Sequence, residues 1–176
     1  MATDLTGPGT SPSQRAKKSS GAGPVLLQLV LRTVAIASSL AASIIMATNK
    51  QRFDFAGIFH TVADYKTSPC FRFLVAGTAA AGVYSLISLP FVFVLHFQGS
   101  KPKKSFFMHL FDLMIMSLVL AATSAATGVA YVGKKGNTVA GWSPICGYVS
   151  QFCNKTELAL LLSYISLLIL FLILVV

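Results

Sequence analysis

One aspartate constrains this chain more than any other residue. Asp112 stands inside the apolar run FFMHLFDLMIMSLVLAATSAATGVAYV, residues 106–132. That run is long enough to cross a bilayer, for which about 20 apolar residues suffice. A carboxylate near the centre of such a span costs roughly 2.5–3.5 kcal/mol on insertion scales. Any fold available to the chain must therefore bring it a partner. The second half of the run is small: Ala121, Ala122, Ser124, Ala125, Ala126, Gly128 and Ala130. In lipid, apolar side chains gain nothing by avoiding hydrocarbon, and small residues let helices approach closely. One segment thus carries a charge to be answered and a surface to be packed.

The rest of the chain is of the same kind. Hydrophobic residues make up 55% of it and charged residues only 11%, against about 25% charged in soluble domains. Apolar runs predict helices at about 25–47, 73–97, 106–132 and 157–176. Loops at about 48–71 and 133–156 lie at one end of these spans, and the short basic segment 98–105 lies at the other. The fold class is an all-α membrane protein, a four-transmembrane-helix bundle forming one domain over 25–176. Residues 1–24, rich in Ser, Gly, Pro and Thr, cannot bury enough apolar surface to order themselves and are expected to be a disordered tail. The net charge of +9 does not point to nucleic acid, because the Lys and Arg residues flank the spans.

Arg32 is the candidate partner for Asp112. It lies seven residues into the first helix, and Asp112 lies six into the third. The first and third helices run the same way, so both charges sit roughly 10 Å inside the same end of the bundle. Arg can snorkel from that depth, whereas Asp is too short to do so well. An interhelical ion pair is therefore expected, with His109 one turn before Asp112. Arg32 also belongs to the row Gln28, Arg32, Ala35, Ser39, Ala42, which occupies one helical face and should look into the bundle. Gly77, Ala81 and Ser85 make a small-residue row on the second helix. The fourth helix carries Leu, Ile, Phe and Val nearly all round and is expected to be lipid-facing or loosely packed.

Four spans place both termini on one side. The cluster Lys101, Lys103, Lys104 favours that side as cytoplasmic. Cys146 and Cys153 share the second long loop, and a disulfide there needs an oxidising compartment. Theirs is the shortest loop to close and so the expected pairing; a bridge from Cys70 to either is the alternative. Asn154-Lys155-Thr156 is an N-glycosylation sequon. In the first long loop Phe55, Phe59 and Val62 recur at helical spacing, which reads as a short amphipathic segment at the interface or a plug on the bundle.

No metal-ligand spacing, phosphate loop or nucleophile motif is present, so neither an enzyme nor a cofactor is expected. Internal repeats and interrupted spans of the transporter kind are absent as well. A self-associating scaffold with no chemistry of its own is therefore expected, and the alternative is an oligomeric channel or transporter subunit. The second long loop is too small for a tetraspanin, and a claudin carries its Cys pair in the other loop.

The second long loop reads WSPICGYVSQFC. Together with Arg32, Asp112, Trp142, Cys146, Phe152 and Cys153, it makes the chain resemble the plant CASP-like proteins. These are relatives of the Casparian strip membrane domain proteins and, more distantly, of MARVEL-domain proteins. The resemblance covers about residues 24–176. It implies a plant plasma-membrane protein that forms homo- and heterodimers or larger platforms. In the founding members such platforms organise local cell-wall lignification by gathering other proteins. The first long loop, NKQRFDFAGIFHTVADYKTSPC, lacks the aromatic, proline-containing signature of strip-localised members, so a related scaffold role elsewhere is expected. Phe55, Phe59 and Trp142 are the candidate contact residues at the outer face.

Overall fold

The computed structural model describes residues 22–55, 59–97 and 102–175; the tail expected to be disordered falls outside them, apart from the few residues that open the first helix. The chain forms α1 (Ala22–Ala47), β1 (Lys50–Phe55), β2 (Phe59–Asp64), a 3-10 turn at Tyr65–Thr67, α2 (Pro69–Phe97), α3 (Pro102–Lys135) and α4 (Ser150–Val175). All four α-helices are long and apolar enough to cross a membrane. Both α2 and α3 open on proline, whose missing N–H is no loss at the first helical position.

The helices pack as a ring. α1 lies against α2 and α4, and α3 lies against the same two, which puts α1 and α3 on opposite corners. Small residues set the spacing. A side chain added at Gly77 would meet the Cβ of Ala122 on α3 at 3.0 Å, and one at Gly82 would meet the Cδ2 of Leu40 on α1 at 2.6 Å. Ala81 and Ser85, which complete the small row with Gly77, are buried.

The interior is more polar than that of a soluble bundle. Ser38, Ser39, Ser43, Thr78, Ser85, Thr123, Ser163 and Ser166 are all buried, while Leu, Ile, Phe and Val crowd the outside. Several of these hydroxyls are satisfied within their own helix: Ser39 donates to Ala35 O at 2.6 Å, Thr78 to Leu74 O at 2.8 Å and Ser163 to Ala159 O at 2.8 Å. They therefore act as small residues that let backbones come close. Two apolar clusters cap the polar middle. One, at the end carrying the long loops, centres on Met46, Phe71, Leu74 and Phe152; the other, near the termini, centres on Ala35, Val119, Leu170 and Ile173.

Three expectations are corrected. The first long loop is not an amphipathic helix, and Ala63 and Tyr65 of the loop pack against the core at that end of the bundle. The loop is an antiparallel hairpin with Lys50 opposite Asp64, Arg52 opposite Val62 and Phe55 opposite Phe59. Phe55 stands on β1 and Phe59 and Val62 on β2, so their spacing imitates a helix that is not there. Secondly, α4 begins at Ser150, well before 157. Thirdly, α4 is not the loosely packed helix. In the most apolar window of α4, 39% of residues are buried, against 22% in α3. Ala159, Ser163, Ser166, Leu170 and Ile173 form the buried stripe of α4 at helical spacing.

Candidate functional site

The first site is the charge centre near the termini. Arg32 reaches across the bundle from α1 to α3. Its Nη2 donates to Asp112 Oδ2 at 2.8 Å and its Nη1 to Asp112 Oδ1 at 3.3 Å, a bidentate pairing with both side chains almost wholly buried. Arg32 Nη1 also donates to the Ser88 hydroxyl, which in turn donates to Ser85 O at 2.9 Å. The Tyr84 hydroxyl, from the same helix, donates to Met108 O of α3 at 3.5 Å. The centre thus ties α1, α2 and α3 together. A fork-shaped guanidinium on a carboxylate is directional as well as strong. Its charges cancel, so the bundle holds no net charge at this depth. His109 points to the exterior and takes no part. Nothing in the sequence distinguishes Ser88 from the other hydroxyls of α2; only its contact with Arg32 of α1 singles it out.

The second site is the long-loop end. The sulfurs of Cys146 and Cys153 lie at disulfide-bonding distance, with Cα atoms 5.8 Å apart, and Cys70 is free. Cys153 sits in the first turn of α4, so a bond there anchors the loop to the helix. The hairpin joins the same point. Gln51 Oε1 accepts from Phe152 N at 2.7 Å, supplying one of the partners that a helix N-terminus lacks. Asn49 Nδ2 donates to Phe152 O at 2.9 Å and to the Thr156 hydroxyl at 3.1 Å. The Phe152 ring meets Phe71 edge-on at 6.0 Å. Asn49 and Gln51 carry no motif, and Thr156 enters the sequence only as the last residue of the sequon, so none of the three is legible as an anchor there.

Beyond this anchor the second loop turns outward. Gly136 ends α3 with φ +74°, and its N–H bonds Val132 O at 2.8 Å, as left-handed helix ends do. Asn137 and Trp142 then pair as a short bridge. Trp142 is 64% exposed and Val139, at the tip, 98%. Phe55 and Phe59 face one another across the hairpin near its turn, and the contacts expected of their side chains fall outside what is described. Asn154 lies exposed in α4, while Thr156 of its sequon is buried with its hydroxyl engaged. Among the described residues, no three His, Cys, Asp or Glu side chains gather as a metal site would require.

Comparison with known proteins agrees with this architecture. The model of the Casparian strip membrane protein domain matches residues 22–169, which take in both sites. CASP-like protein 1F1 of Ricinus communis is 45% identical over 139 residues, 79% of this chain and 77% of that protein. CASP-like protein 1F1 of Populus trichocarpa is 43% identical over 80% of this chain and 77% of its own length. CASP-like protein 1C3 of Populus trichocarpa is 37% identical over 80% of this chain. No solved structure matches. With the family's domain reaching from the start of α1 into α4 and this identity to several of its members, the chain belongs to the Casparian strip membrane protein family.

Proposed function

We propose that the chain is a plasma-membrane scaffold with both termini in the cytoplasm. It associates with itself and with related family members, and by recruiting other proteins it organises a membrane domain or local cell-wall modification. The observation that carries this reading is the outward face of α3. Ser117, Ala121, Ser124 and Gly128 follow one another at helical spacing and are all exposed. A Cβ added at Gly128 would meet nothing within 4 Å. Many exposed positions elsewhere carry Leu, Ile, Phe or Val, so a continuous small-residue stripe on the least buried helix is the surface a second copy would pack on. The buried charges Arg32 and Asp112 are paired with one another, which supports a structural role for them. Single-molecule photobleaching of Ala121→Leu/Gly128→Leu against the wild type tests the reading. The wild type should bleach in several steps and the variant in fewer.

A further inference from the structure

A cleft of about 320 Å³ lies between α3 and α4 at the long-loop end, within the range of small-ligand sites, roughly 300–1,000 Å³. It exists because α3 is small there: Ala130 and Gly133 leave room that Phe152 and Leu160 of α4 do not fill. The Cys146–Cys153 pair closes its upper end. Of its four hydroxyl-bearing residues, Thr127, Tyr131, Ser150 and Thr156, the two threonines turn to protein partners. Thr156 donates to Phe152 O at 2.8 Å, and Thr127 bonds the Tyr164 hydroxyl at 3.0 Å. The remaining lining is mostly apolar, and an apolar cavity does not hold water well.

Charge stands only at the rim of this lining. Lys134 Nζ and Glu157 Oε2 are 2.9 Å apart, and both side chains are largely exposed. Thr127, at the cleft's inner end, lies seven residues from Lys134, so the cleft runs roughly 10 Å along the helices from the charged rim. Apolar walls of that depth below a paired cation and anion match an alkyl chain below a zwitterionic headgroup. The walls belong to two candidate membrane spans, so the surrounding medium that reaches the opening is hydrocarbon.

We propose that this cleft retains one acyl chain of a zwitterionic bilayer phospholipid. The headgroup phosphate lies toward Lys134 and its ammonium toward Glu157. The site is distinct from the exposed stripe of α3, which the cleft does not include.

The test uses the full chain in liposomes of phosphatidylcholine, a fraction of it carrying a photoreactive diazirine midway along one acyl chain. Labelled positions are mapped by peptide mass after irradiation. Label should concentrate on the cleft walls around Ala130 and Leu160. Ala130→Phe, which fills the cleft, should lower that label by about tenfold, as exclusion from a filled pocket requires. Leu120→Phe, exposed on the same helix, should leave it unchanged. If Ala130→Phe does not fold, judged by its size-exclusion profile, Gly133→Leu replaces it, because a Cβ there meets nothing closer than Ile145 at 3.8 Å. Even labelling of all exposed positions, including Phe111 and Leu168, would overturn the proposal, as would undiminished cleft label in a folded filling variant. Displacement of the cleft label by excess sterol but not by excess unlabelled phosphatidylcholine would reassign the site to a different lipid and overturn it too.

Discussion

Arg32 Nη2 and Asp112 Oδ2 are 2.8 Å apart although their helices stand on opposite corners of the bundle. α1 and α3 each pack mainly on α2 and α4, so this pair is the chief bond across the diagonal. Removing either partner leaves a buried, uncompensated charge. In soluble proteins that costs about 3–5 kcal/mol, whereas replacing both partners by apolar groups is often neutral. Arg32→Leu or Asp112→Leu alone should therefore lower abundance in the membrane and the thermal midpoint in detergent. The double variant should recover much of the loss. Normal accumulation and stability of both single variants would remove any structural role from the pair.

Ser88 ties the pair to α2. Ser88→Ala deletes the hydroxyl that accepts from Arg32 and donates to Ser85 O. A hydrogen bond to a charged group contributes about 1.5–3 kcal/mol. Ser88→Ala should lower the thermal midpoint by less than either charge deletion. Combined with Arg32→Leu/Asp112→Leu, it should add little, because its charged partner is gone. Full additivity of the two effects in a thermal-shift series would contradict the coupling.

The loop end makes a sharper steric prediction. A Cβ at Gly136 would meet Trp142 O at 2.6 Å, and the φ of +74° is itself unfavourable for an L side chain. Gly136→Ala should loosen the second loop by about 1–3 kcal/mol without disturbing the spans. Hydrogen exchange should then rise over 136–146 and stay unchanged in α1 and α2. Unchanged exchange in the loop would refute the account of its geometry.

The cysteines and the sequon can be read together by mass spectrometry of protein from its native membrane. Non-reducing peptide maps should show Cys146 joined to Cys153 and Cys70 alkylated without prior reduction. A bridge containing Cys70 would overturn the assignment. Asn154 should carry no glycan, because its sequon folds into α4 with Thr156 buried and held by Asn49. A deglycosylation shift abolished by Asn154→Gln would show that modification precedes folding of that helix.

The parts of this fold legible in sequence are those set by local composition. Each span announces itself by hydropathy, and equal distances from two helix starts single out Arg32 and Asp112 without any knowledge of packing. What was hidden depends on partners distant in the chain. α4 starts at Ser150 because Gln51 and the Cys146–Cys153 link hold its polar first turns, so hydropathy places the boundary too late. The hairpin stays hidden because Phe55 on β1 and Phe59 and Val62 on β2 fall at helical spacing in the chain. The burial of α4 was misjudged because Ser163 and Ser166 are minor entries in an apolar count, yet they define the face that packs. The exposed stripe of α3 was visible as small residues, but only the ring of helices shows which of them face outward.

Self-association is the central claim, and counting protomers in the plasma membrane at native expression tests it most directly. The wild-type protein, singly tagged, should appear as slowly diffusing spots that bleach in two or more steps. Ala121→Leu/Gly128→Leu, which roughens the outer face of α3 while leaving the interior untouched, should shift those spots toward single steps and free diffusion. Single-step bleaching and free diffusion of the wild type would contradict the scaffold.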